Sequence, residues 1–171
     1  KPTHLLVAFD RKEPTFRHIK YKEYKGTRKP MPAELHEQVP LMKKVLKTME
    51  IPIITQAGIE ADDILGTIGK EAEEAGFDVA IVSGDRDLLQ LATKKVKIKI
   101  PKTKASGTVT EDYYEEDVRE LYGVSPTEFI DMKGLMGDTS DNIPGVPGIG
   151  EKTAAKIIKE YHSIENAHEH I

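Results

Sequence analysis

The chain has 171 residues, a formal net charge of −4 and no cysteine. That length suits one core-bearing domain with a small appended unit, and the lack of cysteine excludes disulfides, thiolate nucleophiles and cysteine-ligated metal centres. No apolar run nears the ~18 residues of a membrane span and no signal peptide opens the chain, so a soluble, cytoplasmic protein with no membrane partner is expected.

Leu5 to Phe9 is a short apolar run without alternation, as in a strand buried on both faces. Residues 11 to 31 are polar and basic without a clean period and read as a long loop or mobile helical segment, a length of loop that usually has a function. Pro32 to Glu50 keeps Leu35, Val39, Met42, Val45, Leu46 and Met49 on one helical face, with proline in its first turn. Ile51 to Thr55 reads as a strand, Ala61 to Ala75 as a helix stopped by Gly76, and Asp78 to Ser83 as a third strand. Asp87 to Leu91 is a helical turn. Val96 to Ile100 alternates with lysines and is placed near a sheet edge.

This alternation predicts an α/β fold: a mostly parallel twisted sheet flanked by helices. After Gly107 short helices take over, at Glu115 to Tyr122, at Thr127 to Met136 behind a Ser125-Pro126-Thr127-Glu128 capping box, at Gly148 to Tyr161, and after Ser163. The expected domains are therefore an α/β core over 1–107, including the basic segment 11–31, and a helical subdomain over 108–171.

Four acidic clusters fall where apolar segments end or helices begin: Asp10, Glu60-Ala61-Asp62-Asp63, Asp85-Arg86-Asp87 and Asp138-Thr139-Ser140-Asp141. Each alone has an ordinary explanation, since acids suit the first turn of a helix and turns in general. Together they sit at the strand ends of an α/β sheet, where distant carboxylates can share one crevice. Carboxylates so crowded raise each other's pKa unless cations intervene. Hard divalent ions with oxygen ligands answer this, and two of them about 4 Å apart can activate a water and stabilise a phosphodiester leaving group. Magnesium and manganese both suit such ligands. His18, His162, His168 and His170 lack the spacing of a zinc site.

From Arg11 to Lys29 eight basic residues stand against two acids, a local net charge of +6. Charged runs are usually solvated surface, but here Phe16, Tyr21 and Tyr24 are interleaved with Arg17, Lys20, Lys25 and Arg28, which suits stacking on unpaired bases and contact with their backbone. In Gly145-Val146-Pro147-Gly148-Ile149-Gly150-Glu151-Lys152-Thr153-Ala154 the glycines let backbone approach a ligand ahead of a helix N-terminus suited to phosphate. The other reading is a plain glycine-rich connection. It is neither a Walker loop nor a dinucleotide fingerprint.

Taken together, VAFD with Phe16-Arg17-His18, Tyr24-Lys25-Gly26-Thr27-Arg28, Glu60-Ala61-Asp62-Asp63-Ile64, Ser83-Gly84-Asp85-Arg86-Asp87-Leu88 and the stretch from Gly134 to Ala154 resemble the 5′ nuclease domains of bacterial DNA polymerase I, relatives of the flap endonucleases. The resemblance covers essentially the whole chain. It implies a PIN-like 5′ nuclease core with a helix-hairpin-helix type subdomain, and two-metal cleavage (Mg2+, with Mn2+ able to substitute) of DNA with a 5′ flap or nick, and of RNA primers, in replication and repair. It also implies a nucleoid-associated setting and a polymerase region in the same parent chain.

By that pattern Asp10, Glu60 and Asp62 would serve one metal, and Asp85, Asp87 and Asp141 the other, with Asp63 and Asp138 close by. Arg17, Lys25 and Arg28 would hold the scissile phosphate and 5′ strand in an arch with Phe16 and Tyr24. Gly145, Gly148, Ile149, Gly150, Lys152 and Thr153 would grip duplex backbone, in relatives around K+. Members of the family begin with a further strand bearing a metal-binding aspartate, so the resemblance also implies a fragment with an incomplete first metal group and impaired turnover. Two other readings are a non-catalytic duplex-DNA-binding module and a ribonuclease of a related acidic fold.

Overall fold

The computed structural model describes residues 1–104 and 107–170. The chain forms two compact units, one of Lys1–Leu65 with Ser140–Asn142, the other of Gly66–Thr139 with Ile143–Ile171. The strands, flanked by helices, confirm the α/β class.

In the first unit β1 (Val7–Ala8) pairs in parallel with β2 (Ile53–Ile54). Between them lie α1 (Phe16–Lys20), inside the segment expected as loop or helix, and α2 (Ala33–Thr48). Thr15 precedes α1, its N–H and hydroxyl both bonded to His18 Nδ1, while Phe16 N–H donates to Gly58 O at 2.9 Å. The apolar stripe of α2 exists as expected, yet Leu35, Met42, Val45 and Met49 are all exposed and α2 has no buried residue. The buried residues of this unit are Thr15, Tyr24 and Ile64. Charge and hydrogen bonds, more than apolar burial, organise it.

The second unit has the deeper core. Its sheet runs β3 (Val79–Val82), β4 (Val96–Lys104), β5 (Gly107–Tyr113), parallel then antiparallel. β4 is thus central rather than near an edge. Its lysines mark a solvated face, where Lys97 and Lys99 both pair with Asp112 of β5, while Val96, Ile98 and Ile100 point into the core. β5 also occupies residues read from sequence as the start of the short helices. The expected single sheet is, among the described residues, a pair and a triplet of strands.

α3 (Ala61–Glu74) brings Gly69 against β3, where an added Cβ would lie 3.1 Å from Ile81 Cδ1. A 3-10 turn, Arg86–Leu91, buries Leu88 and Leu89. α4 (Glu115–Tyr122), α5 (Pro126–Met136), α6 (Glu151–Tyr161) and α7 (Ile164–Glu169) complete the unit, with Val118, Phe129, Met132 and Ile158 buried between them. The capping box is formed as read from the sequence: Ser125 N–H donates to Glu128 Oε2 at 2.7 Å and Glu128 N–H to Ser125 Oγ at 3.2 Å. Ser163 likewise caps α7. Among the described residues no helix is long and apolar enough to cross a membrane.

Candidate functional site

In the first unit Glu60, Asp63 and Asp141 are bound to cations singled out by sequence. Asp10 follows β1 and accepts the N–H of Ala61 at 2.8 Å, and Asp63 accepts the N–H of Glu60 at 2.9 Å, so both cap the start of α3. Asp63 also takes a two-pronged contact from Arg17, at 2.7 and 2.8 Å, a geometry that only a guanidinium offers. Arg17 lies 3.3 Å from Glu60, whose other oxygen accepts from Lys25 Nζ at 2.5 Å. Asp62 sits half-buried in the first turn of α3.

Asp141 arrives from the far end of the sequence and joins this group. Its carboxylate takes Arg28 Nη2 at 2.5 Å, its backbone carbonyl takes Lys25 N–H at 2.8 Å, and Arg28 Nε reaches Ser140 O. Lys25 holds a left-handed φ of 56°, uncommon for a residue with a side chain, so its position is imposed by its neighbours. The Tyr24 hydroxyl lies 2.8 Å from Glu60 Oε2 and 3.0 Å from Asp141 Oδ2. Burial, reinforced by the two carboxylates, pushes this phenol well above the usual tyrosine range. Tyr24 is therefore a buried bridge, whereas Phe16 stays 40% exposed with Arg17 and Lys20 against its ring.

The Arg17 contact holds the Asp63 carboxyl below its ordinary value of 3.8, against an opposing effect of burial. A depressed acid stabilises the fold above its unfolded pKa and loses that contribution as pH falls through the folded one. R17M is thus expected to be less stable than the parent in neutral buffer, with the gap closing in acid below about pH 3.8. Thermal unfolding of both proteins across that window measures it. A gap that is the same at both ends would assign Arg17 to packing alone.

In the second unit Asp85 follows β3 and caps the 3-10 turn, accepting Asp87 N–H at 2.9 Å, while its own N–H donates to Ser83 Oγ. Lys133 of α5, which sequence reasoning passed over, bridges Asp87 at 2.9 Å and Asp138 at 2.5 Å. Burial raises the Asp87 carboxyl above its ordinary range, with Asp85 and Asp138 pushing the same way and Lys133 opposing. Burial works to lower the Lys133 ammonium, but its two carboxylates prevail and it stands raised. Among the described residues no three acidic or histidine side chains form a ready-made metal group. Glu60, Asp63, Asp87, Asp138 and Asp141 pair with cations instead.

The glycine-rich hairpin is fixed at its root and open at its tip. Asp138 and Ile143 exchange backbone hydrogen bonds at 2.8 and 2.7 Å, and Val146 N–H donates to Leu135 O at 2.8 Å. Gly137 and Gly145 pack so closely that a Cβ on Gly145 would lie 2.3 Å from the Met136 carbonyl carbon. At the tip, Cβ atoms on Gly148 and Gly150 would meet nothing within 4 Å. No side-chain cap is made at Gly150, the start of α6, where Lys152 and Thr153 are exposed and Ile149 is half-buried.

Carboxylates follow β1 and β3, and the hairpin ahead of α6 is open at its tip. Residues 1–123 match the 5′-3′ exonuclease N-terminal resolvase-like domain and residues 124–171 the 5′-3′ exonuclease C-terminal SAM fold, so the chain belongs to the 5′-3′ exonuclease family. It is similar to DNA polymerase I of Bacillus subtilis, at 53% identity over all of this chain and 19% of that protein. DNA polymerase I of Bacillus caldotenax is 52% identical over 97% of this chain and 19% of its own length. The chain thus spans about a fifth of these relatives.

Among solved structures, the phage T5 5′-exonuclease with bound divalent metal ions (zinc) superposes with a TM-score of 0.80 at 29% identity, covering 99% of this chain and 64% of that one. The T5 D15 flap endonuclease, in a pseudo-enzyme-product complex with DNA and metal ions, gives a TM-score of 0.80 at 28% identity with the same coverage.

Proposed function

We propose that this chain is the 5′ nuclease portion of a DNA polymerase I and hydrolyses phosphodiesters in DNA bearing a 5′ flap or nick, and in RNA primers, with divalent metal ions. The observation that carries the proposal is the pairing of every cation expected at the phosphate with a carboxylate expected at a metal: Arg17 with Asp63, Lys25 with Glu60 and Arg28 with Asp141. Carboxylate oxygens that already draw in ammonium and guanidinium groups have the hard-donor chemistry that Mg2+ or Mn2+ requires. The similarity to metal-bound and DNA-bound phage T5 enzymes supports the same reading.

Asp10, Glu60 and Asp62 would hold one ion, and Asp85, Asp87 and Asp141 another, with Asp63 and Asp138 supporting them. When bound, such ions activate the attacking water and stabilise the leaving oxygen. The chain's own part is positioning. Arg17, Lys25 and Arg28 neutralise the phosphate once released from their carboxylates, Phe16 offers a face to a base, and Tyr24 holds Glu60 and Asp141 in register.

Duplex backbone would lie on the hairpin amides of Gly145, Gly148, Ile149 and Gly150, next to Lys152 and Thr153, and K+ held at this hairpin would offset phosphate charge. Residues 1–107 would form the catalytic core, with 11–31 as its arch, and 108–171 the DNA-gripping subdomain. The partner within the parent protein would be a polymerase region, and the setting the nucleoid in the cytoplasm.

The test is cleavage by the full-length protein. A 5′-flapped duplex is expected to be cut in Mg2+, to survive intact after chelation, and to be cut again on adding Mn2+. Cleavage that persists under chelation would remove the metals, and binding without any cleavage would favour a non-catalytic duplex-binding module.

A further inference from the structure

We infer that Arg86, with Tyr122 behind it, is a positioning residue for the acidic turn Asp85–Asp87, a role that rests on the assignment of those two carboxylates to a metal. Arg86 stands between the two acids in sequence, yet among the described residues it forms no ion pair with either. Its Nη1 instead donates to the Tyr122 hydroxyl at 2.8 Å, and its guanidinium lies 6.0 Å from the centre of the Tyr113 ring. Both tyrosines are themselves held. Tyr122 packs on buried Phe129 with ring centres 4.9 Å apart, and Tyr113 donates to Glu111 at 2.5 Å, which in turn pairs with Lys102 at 2.7 Å. The arginine therefore reaches away from the acids into a corner built by β5, α4 and α5.

The turn needs such a tether. A 3-10 helix has poorer hydrogen-bond geometry than an α-helix and seldom runs long. Leu88 and Leu89 bury its later part in the core, while the end that carries the acids is held by the mutual Asp85 and Asp87 bond, by Asp85 N–H on Ser83 Oγ, by the Gln90 side-chain amide on the Asp87 carbonyl, by Lys133 and by Arg86. Lys133 binds a carboxylate and is displaced by whatever cation takes that carboxylate. Arg86 binds neither and stays in place. It is thus the cation that can keep both acids aimed while their partners change, beside the backbone contacts of Ser83 and Gln90.

The alternative role for a nearby cation is electrostatic, and it has the opposite sign. If Arg86 acted on the site only through its charge, removing it would tighten binding of a divalent ion. A positioning role predicts weaker binding, and Y122F separates the two cleanly because it removes the tether and leaves the charge.

The experiment is direct Mn2+ binding by electron paramagnetic resonance on the full-length protein, alongside cleavage of a 5′-flapped duplex across a metal titration. R86M and Y122F are expected to weaken Mn2+ binding by about tenfold, within the range seen when partners of metal ligands are removed. The metal concentration for half-maximal cleavage should rise in step, kcat at saturating metal should recover, and R86K should regain part of the loss. Unchanged or tighter Mn2+ binding in Y122F would overturn the proposal, and Y122F decides the matter if R86M folds poorly. D85N with D87N serves as the control: unchanged Mn2+ binding there would mean the metal assignment itself has failed.

Discussion

Alanine at Gly145 (G145A) is expected to destabilise the second unit by about 3 kcal/mol, the upper end of what overpacking does to a well-ordered interior. The added methyl would sit 2.3 Å from the Met136 carbonyl carbon, 2.4 Å from its oxygen and 2.6 Å from Gly137 N. All three are backbone atoms, so no rotamer change relieves the clash. Gly137 is as constrained, with a φ of 75° and a virtual Cβ 2.3 Å from Gly145 N. Moving either strand of the hairpin root would break the Val146 to Leu135 hydrogen bond that follows it. G150A is the matched control, because Gly150 has an ordinary φ of −98° and open space beside it. It should fall within about 0.5 kcal/mol of the parent. Urea denaturation compares the two, and equal midpoints would show that the root is not packed as described.

D85N combined with D87N is expected to lower flap cleavage on the order of a thousandfold, since metal coordination is worth several kcal/mol in the transition state and each ~1.4 kcal/mol is a factor of ten. The fold should survive the change. Asp87 is a carboxylate whose charge is disfavoured by burial and by the neighbouring Asp85 and Asp138, and asparagine removes that repulsion while keeping the shape. Lys133 keeps Asp138 as a partner. Loss of rate with the unfolding midpoint retained therefore isolates chemistry from stability. Single-turnover cleavage by the full-length protein is the measurement, and a double variant that cuts at the parent's rate would leave only the duplex-binding role.

Local signals in the sequence translated well into elements. Ser125, Pro126 and Glu128 specify the start of α5 through two reciprocal hydrogen bonds, so three residues suffice to read it. Periodicity located α2 but could not say what covers it, because a stripe at helical spacing records the demand for a partner and not its presence. Alternation misplaced β4 for a related reason. Lysines every second residue report one wet face, and that face occurs on central strands as readily as at edges.

The acids were legible as clusters, and their ordinary roles proved real too, since Asp10, Asp63 and Asp85 all accept backbone amides at helix or turn starts. What the sequence could not show is pairing across long separations. Nothing local ties Tyr24 to Asp141, or marks Lys133, among the apolar neighbours Met132 and Leu135, as the partner of Asp87. The one available hint was a single cation five residues before Asp138 on an otherwise apolar helix face.

The mutual binding of Arg17, Lys25 and Arg28 to Asp63, Glu60 and Asp141 has a thermodynamic meaning for whatever enters the site. A bare pocket of carboxylates would have to be stripped of water, and its repulsion overcome, before a cation could settle. Here the carboxylates already hold cations, and the Glu60 and Asp141 side chains are only 13% exposed. A divalent ion that took Glu60 would release Lys25, and a phosphate that took Lys25 would free Glu60. If Glu60 holds a metal ion and Lys25 a phosphate, as proposed, each ligand would lower the free energy for the other's arrival by the same amount. The charges behave as an ion exchanger at rest, loaded with its own side chains.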